Sequence, residues 1–195
     1  MDFSRNKNKT QMTKEKWKSL TKAEKRVFIA KDVIKQIGKK KIIAKNTNGY
    51  YSTTEFQEAF DKLAGKEILT TKVELQTVFK NTKQCTVCAQ GALLLSDILQ
   101  RNRCKISYED FDKIDEREFI KSRLRSYWSQ LQLELIETAF EESIMRYMIP
   151  GLNIKLYDEA AYFGIKTNTS GNYNADKRLV AIMKNIIKNK GTFKP

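Results

Sequence analysis

Apolar residues recur at helical spacing along most of the chain, and polar residues mark where each run begins and ends. The first strong signal is "TKAE", in which Thr21 and Glu24 form a capping box. The run behind it ends at Gly38, a common type of helix terminator. Its apolar positions are Val27, Phe28, Ala30, Val33, Ile34 and Ile37. Their spacing predicts a helix over 21–38 with one inward face.

A short segment behind this helix has a different pattern. The sequence "KKKIIAKNTNGYYS" combines a β-branched pair with an Asn48-Gly49 turn signal and the aromatic pair Tyr50-Tyr51. β-Branched and aromatic residues on either side of Asn-Gly are typical of a tight hairpin. The pattern predicts one small β-hairpin near residues 41–53.

Helical patterns then return in two short runs. Thr54 and Gln57 form a second capping box, in front of a helix that stops at Gly65. Thr71 and Glu74 form a third box, again followed by apolar residues at helical spacing. Two further helices are therefore predicted, one beginning at each box.

The stretch "CTVCAQGALLLS" (85–96) begins the most apolar part of the chain. Its apolar residues continue to Leu99 and lie on every side of a helical wheel, which predicts a buried helix over about 85–99. The longest helix is predicted over 115–146, because two apolar faces run along it. These two helices are expected to form the centre of the core.

Cap and turn signals divide the rest of the chain. The sequence "LYDEAAYFG" predicts a short helix that ends at Gly164, followed by a polar loop. Asn174 is placed to cap a last helix that ends at Gly191. The inward stripe of that helix consists of Leu179, Ile182, Met183, Ile186 and Ile187. This helix is expected to pack across the central pair.

Composition agrees with these patterns. The chain of 195 residues has only 8 Gly and 2 Pro, the residues that interrupt helices, and 41% of it is hydrophobic. We therefore expect a mainly α fold, in which residues 14–195 form a single helical domain of six or seven helices with the one small β-hairpin. Residues 1–13 are expected to be a flexible basic arm.

The charge is concentrated at the two ends of the chain. The formal net charge is +14, and residues 1–45 hold 15 Lys and Arg against 4 Asp and Glu. Residues 177–195 hold 6 against none, whereas residues 46–176 are slightly acidic, with 16 against 19. Such asymmetry indicates a polyanionic partner, either nucleic acid or an acidic protein surface. The plainer alternative is a basic surface that serves only solubility.

Candidate nucleic-acid-binding residues follow from this distribution. Lysines cluster where the first helix meets the hairpin, beside two tyrosines whose rings are suited to stacking on bases. Basic residues of the last helix lie mostly outside its apolar stripe and extend the set. The candidates are Lys35, Lys39, Lys40, Lys41, Lys45, Tyr50, Tyr51, Lys177, Arg178, Lys184 and Lys188. Because no DNA- or RNA-reading motif is present, binding of low sequence specificity is expected.

The cysteines allow three interpretations. Cys85 and Cys88 have the spacing of a zinc knuckle or a redox pair, and Cys104 offers a third thiol. The chain has no histidine, so only Asp97 or Asp110 remains as a fourth zinc ligand. A redox pair is typical of a βαβ unit, which the pattern does not predict. Packing of buried thiols is the preferred interpretation, and no metal or other cofactor is expected.

The usual signs of catalysis are also missing. Without histidine the chain lacks the commonest general base, and Ser96 therefore has no such activating partner. No Gly-rich phosphate-binding loop occurs. We expect a protein that is not an enzyme.

The chain shows no sign of membrane targeting. The N-terminal stretch "MDFSRNKNKTQMTK" has no apolar signal segment, and no run approaches membrane-spanning length. Three cysteines are an odd number, which fits a reducing compartment. The expected location is the cytoplasm of a host cell or a virion, with no membrane partner.

Three stretches resemble a known group of sequences. "CTVCAQGALLLS" (85–96) and "KRLVAIMKNIIKNKGTFKP" (177–195) resemble the C-x-V-C-A-x-G-A-L and R-L-x-A-I-M-x-N-I-I-x-N-x-G-x-F-x-P patterns of small uncharacterised proteins of tailed phages and some bacteria. "LQLELIETAFE" (131–141) is similar to a middle segment of the same group, and the three stretches cover about a fifth of the chain. The resemblance implies a phage or bacterial origin and no particular activity.

One function and two alternatives follow from these observations. The first is a non-enzymatic accessory protein of phage type that binds nucleic acid or an acidic partner through its basic terminal segments. The second is a structural component of a phage virion, held by other virion proteins. The third is a host-defence antagonist that binds a host protein or sequesters a nucleotide.

Overall fold

The computed structural model describes residues 14–45, 53–65, 72–101, 105–106, 122–141, 154–167 and 174–195. Its helices are α1 (Lys14–Ser19), α2 (Lys22–Gly38), α3 (Thr53–Ala64), α4 (Leu75–Asn81), α5 (Ala89–Arg101), α6 (Gln130–Glu141), α7 (Ile154–Lys166) and α8 (Ala175–Lys188). Its strands are β1 (Ile42–Ala44), β2 (Val73–Glu74), β3 (Cys85–Val87) and β4 (Lys105–Ile106). The mainly α fold predicted from the sequence is confirmed. The arm over 1–13 lies outside these residues, and the single domain over 14–195 stays a prediction.

The first capping box is confirmed, and it sets the start of α2. The Thr21 side chain accepts a hydrogen bond from the N–H of Glu24, and the Glu24 carboxylate accepts one from the N–H of Thr21 at 2.8 Å. The bond from the Thr21 N–H, together with one from the Thr21 hydroxyl at 2.8 Å, lowers the pKa of the Glu24 carboxyl. The helix ends at Gly38 as expected, but the left-handed residue of the turn is Lys40, with φ of 55°. The N–H of Lys40 donates to the carbonyl of Ile37 at 2.8 Å, which satisfies one of the last carbonyls of the helix.

The β-hairpin predicted near residues 41–53 is wrong in the partner that it assigns to β1. Ile42–Ala44 is a strand, but it pairs in parallel with β3, so that Ile42 lies opposite Cys85 and Ala44 opposite Val87. The Asn48-Gly49 turn lies outside the described residues, and Thr53 already begins α3. The partner of β1 is therefore remote in sequence, and the pair is held by burial of both strands.

Two predicted helix starts are also wrong, because strands take their first residues. The helix expected from Thr71 begins at Leu75, since Val73–Glu74 pairs antiparallel with β4. The buried helix expected from Cys85 begins at Ala89, since Cys85–Val87 pairs with β1. Its predicted burial is confirmed over 89–98, where every side chain is buried.

The single long helix predicted over 115–146 is interrupted. A helical turn at 122–124 is followed by non-helical residues, and α6 begins only at Gln130. Ser129 precedes it, and its hydroxyl accepts from the N–H of Gln132 at 3.2 Å, as in a helix cap. Within the interruption, the Tyr127 hydroxyl donates to Asp97 at 2.9 Å. Residues 115–121 and 142–146 lie outside the described residues.

Gly164 does not end its helix as predicted, because α7 continues to Lys166. The glycine is buried against α6, and a Cβ at this position would collide with the backbone carbonyl of Ala139. The glycine therefore permits close helix packing rather than a turn. Nearby, the hydroxyl of Tyr157 donates a very short hydrogen bond to the carboxylate of Glu134, which joins the same two helices.

Both predicted ends of the last helix are confirmed. The Asn174 side chain accepts from the N–H of Lys177 at 2.9 Å, and Gly191, with φ of 94°, donates its N–H to the carbonyl of Ile186 at 2.8 Å. The C-terminal residues then return to the core, where Phe193 is buried. One hydrophobic cluster extends from Trp17 to Phe193. Among the described helices, none combines the length and the apolar character that a membrane span requires.

Candidate nucleic-acid interface

The two basic ends of the chain lie side by side because α2 packs against α8. Asp176, in the first turn of α8, accepts a hydrogen bond from the N–H of Ala44 just beyond the end of α2. At the opposite end, Gly191 lies against Ala23, where an added Cβ would come within 2.5 Å of the Ala23 carbonyl oxygen. The two helices are therefore antiparallel, and residues far apart in sequence share one surface.

The two chain segments that this packing brings together carry the net positive charge of the protein. Residues 14–45 and 174–195 together hold 18 Lys and Arg against 4 Asp and Glu. The remaining residues hold 19 of each sign. The net charge of +14 is thus carried by the part of the fold built on α1, α2, β1 and α8.

Three predicted lysines form a row along the outer face of α8. Lys177, Lys184 and Lys188 are exposed, and their spacing of seven and four residues places them on one side of the helix. Lys177 and Lys184 border a shallow cleft of about 410 Å³ between α8 and the C-terminal end of α2. The apolar lining of this cleft is formed by Ile37, Val180 and Ala181.

Four further predicted lysines lie near the C-terminal end of α2 and behind β1. Lys35, Lys39, Lys40 and Lys45 are exposed. Lys35 is 3.8 Å from the buried carboxylate of Asp32, so part of its charge is compensated. We call the exposed set the α2–α8 basic surface, and its members are Lys35, Lys39, Lys40, Lys45, Lys177, Lys184 and Lys188.

Two of the residues predicted to bind nucleic acid do not belong to this exposed surface. Lys41 is half-buried, and its ammonium lies 3.4 Å from the carbonyl oxygen of Lys80. The prediction that Arg178 binds nucleic acid is wrong, because its side chain is fully buried. Its Nη1 donates to the carbonyl of Phe140 at 2.8 Å, in the last turn of α6, where carbonyls lack partners within the helix. Arg178 therefore caps a helix and does not reach a partner.

Burial changes the acidity of the Arg178 guanidinium. Removal from water lowers its pKa, and the nearby carboxylate of Glu141 acts in the opposite direction. The sequence pattern missed the burial of Arg178 because the side chain binds the Phe140 carbonyl of α6, and the position of α6 is not a local property of the sequence. Tyr50 and Tyr51, the predicted stacking residues, lie outside the described residues.

The cysteine pair lies in a packed environment. Cys85 is buried in β3, and Cys88 is buried directly in front of α5. The Cys88 sulfur accepts from the N–H of Gly91 at 3.4 Å, in the manner of a helix cap. A helix N-terminus usually lowers the pKa of a thiol, but burial dominates here and raises the pKa of Cys88 to about 12.

Two polar residues of α5, Ser96 and Asp97, form hydrogen bonds inside the core. Ser96 is fully buried, and its hydroxyl lies 3.0 Å from Asp32, a buried carboxylate. Asp97, considered as a zinc ligand, instead accepts from Arg123 at 2.9 Å and from Tyr127. Across the described ranges, no three Cys, Asp or Glu side chains come together as a metal-binding group. Cys104 and Asp110 lie outside those ranges.

Sequence reasoning missed the residue that joins the two basic segments. Asp176 is the only acidic residue of 174–195, and its spacing on α8 indicates nothing beyond a favourable charge at a helix N-terminus. Its contact with Ala44 depends on the position of β1, which no local pattern predicts. Comparison with protein-family models, curated proteins and solved structures yields no match to this chain.

Proposed function

We propose that this protein is a non-enzymatic accessory protein of phage type that binds nucleic acid through the α2–α8 basic surface. The observation that carries the proposal is the antiparallel packing of α2 and α8, which places two basic segments from opposite ends of the chain beside each other. A surface of this kind neutralises several phosphates at once. The host cytoplasm or the virion is the corresponding location.

The arrangement of the lysines supports a nucleic acid as the polyanion. Lys177, Lys184 and Lys188 follow one line on a rigid helix, which suits the regular succession of phosphates along a strand. The exposed groups are ammonium ions, which contact phosphates as point charges rather than as bidentate readers of bases. Binding of low sequence specificity is therefore proposed, with stacking by Tyr50 and Tyr51 as a further contribution.

Fluorescence anisotropy with a labelled DNA duplex tests the proposal. Six phosphate contacts correspond to a slope of about −5 in a plot of log affinity against log salt concentration. The variant Lys177→Ala/Lys184→Ala should weaken binding and reduce the slope by about 2, one for each lost contact. A single-stranded probe measures the stacking contribution, which Tyr50→Ala/Tyr51→Ala should reduce.

The matched control changes the same number of charges on another helix. Lys155 and Lys166 are exposed on α7, and Lys155→Ala/Lys166→Ala should leave the affinity within about twofold. Equal losses in the two variants would show that only the net charge matters. Absence of binding to either probe at about 50 mM salt would exclude a nucleic acid and leave the acidic protein surface as partner.

A further inference from the structure

A second surface lies at the opposite end of α2, where α1 and α2 meet the C-terminal end of α8. It is a groove of about 580 Å³, within the usual size range of binding sites. Its lining is largely apolar and is formed by Leu20, Ala23, Val27, Phe28 and Ile187. All five side chains are half-buried, so each keeps apolar surface exposed to solvent. Leu20, Phe28 and Ile187 also pack against the core, which fixes the floor of the groove.

The groove runs along α2 rather than into the core. Ala23, Val27 and Lys31 are spaced by four residues and therefore form one row on the helix surface. The row is about 12 Å long at 1.5 Å per residue, and Leu20 extends it beyond the start of the helix. An elongated apolar groove between helices is the shape that receives an amphipathic helix of two to three turns.

One wall of the groove is held in place by aromatic packing. The rings of Phe28 and Trp17 meet edge to face, with their centroids 5.8 Å apart. Trp17 in turn meets the ring of Tyr127 at 6.1 Å. A wall fixed in this way loses little side-chain freedom when a ligand binds.

The rim of the groove is basic. Lys16 of α1, Lys31 of α2 and Lys190, just beyond the end of α8, are exposed and line it. Among its described lining residues Glu24 is the acidic one, and its carboxylate is occupied by the N–H and hydroxyl of Thr21, both at 2.8 Å. The charge that complements this rim is negative.

We propose that this groove binds an amphipathic helix of a partner protein, whose apolar side chains enter the groove and whose carboxylates pair with Lys31 and Lys190. The aliphatic floor selects a peptide with branched apolar anchors, and the rim selects acidic residues beside them. The site uses none of the lysines of the α2–α8 basic surface. Together with the proposed nucleic-acid binding, this groove gives the protein a second partner of different chemistry. Because the two sites share no lysine, each binding activity is tested separately.

Methyl-detected NMR of the full chain, with a synthetic peptide as probe, tests the proposal. The probe is an amphipathic helix of about 14 residues with leucines at i, i+3, i+7 and i+10 and glutamates elsewhere. We expect it to shift the methyl signals of Leu20, Val27 and Ile187, with those of the buried Leu179 unchanged. A probe in which lysines replace the glutamates should bind at least about tenfold more weakly.

Variants of the groove locate the site. Val27→Glu should weaken the glutamate probe more than about tenfold, because it places a carboxylate on the apolar floor. Lys31→Glu changes an exposed residue and should weaken it about fivefold without loss of folding. Lys22→Glu is the matched control on an exposed part of α2 outside the lining, and should change the affinity less than about twofold.

Three results would overturn the proposal. The first is equal binding of the two probes, or no binding of the glutamate probe. The second is a dimer in light scattering that Val27→Glu converts to a monomer, which would make a second copy the occupant. The third is displacement by the chain's own acidic stretch over 109–118, revealed if Asp110→Asn/Asp112→Asn/Asp115→Asn binds the probe more than about tenfold tighter than the native chain.

Discussion

The carboxylate of Asp176 accepts a hydrogen bond of 2.6 Å from the backbone N–H of Ala44, across 132 positions of sequence. Ala44 is the last residue of β1 and is almost fully buried. The bond therefore satisfies a backbone group that water does not reach, and it connects the strand after α2 to the start of α8. The two basic segments owe their common surface in part to this contact.

Removal of this acceptor should destabilise the protein. Asp176→Ala leaves the Ala44 N–H buried without a partner, and we expect a loss of about 1–3 kcal/mol in the free energy of unfolding. Asp176→Asn keeps a side-chain oxygen and should cost less. Urea unfolding and hydrogen exchange of the Ala44 amide measure the two effects. Glu159→Ala on an exposed position is the control, and an equal loss there would contradict the role of the bond.

Variants of Arg178 and Lys177 should have opposite effects, one on the stability of the fold and the other on DNA binding. Arg178→Met removes the buried donor to Phe140, and we expect a loss of about 2–4 kcal/mol in the free energy of unfolding, because a buried hydrogen bond to a charged group is lost. Lys177→Ala should cost less than about 0.5 kcal/mol and weaken DNA binding instead. Urea unfolding and fluorescence anisotropy on both variants give the four values. A fully stable Arg178→Met protein would contradict the buried cap.

Substitutions of two glycines by alanine should change the stability of the protein in different directions or by different amounts. Gly164→Ala introduces a methyl group against the Ala139 carbonyl, and overpacking of this kind costs about 1–3 kcal/mol. Gly38→Ala meets nothing within 4 Å and should leave stability unchanged or raise it by up to about 1 kcal/mol. Thermal unfolding followed by circular dichroism compares them. The close contact of α6 and α7 is refuted if both variants melt together.

The cysteine pair should matter for packing and not for metal. Cys85→Ala/Cys88→Ala leaves small cavities in the core, and we expect a loss of about 1–3 kcal/mol in the free energy of unfolding. Mass spectrometry under native conditions measures the mass of the wild-type protein at the same time. One equivalent of zinc in that spectrum, lost from the double variant, would overturn the packing interpretation.

The raised pKa of Cys88 predicts a loss of stability in alkaline solution. Burial raises the pKa of this thiol from its usual value of 9.0 to about 12. Between these values the unfolded state binds fewer protons, so the free energy of unfolding falls as pH rises, by at most about 1.4 kcal/mol per pH unit. Below about pH 9 this thiol adds no pH dependence. Urea titrations at about pH 8 and about pH 10 should show a larger decrease for wild type than for Cys88→Ala, and parallel decreases would be inconsistent with the burial of the thiol.

Sequence patterns predicted the features that depend on near neighbours. The capping box of Thr21, the cap by Asn174 and the stop at Gly191 each involve residues within about five positions, and all three are confirmed. The burial of the residues from Ala89 to Ile98 was also predictable, because apolar side chains on every side of a helix have no favourable place in water.

Predictions failed where a remote segment competes with the local pattern. The apolar, β-branched residues of β1 fit a hairpin as well as a parallel pair, and the choice is made by β3, which lies 43 positions away. Gly164 resembles a helix stop until α6 lies against it. In the candidate interface, the exposed lysines were identified from charge alone, but the burial of Arg178 was not.

By itself, the sequence determined the helical character, both ends of α2 and of α8, and the basic character of both termini, because periodicity, caps and charge are properties of consecutive residues. Only the tertiary structure decided that β1 pairs with β3 and that the helix predicted over 115–146 is interrupted before Gln130. It also decided that α2 and α8 lie antiparallel, with Asp176 between them. Those outcomes depend on which buried surfaces meet, and the free energy of such contacts is shared between segments that no local pattern connects.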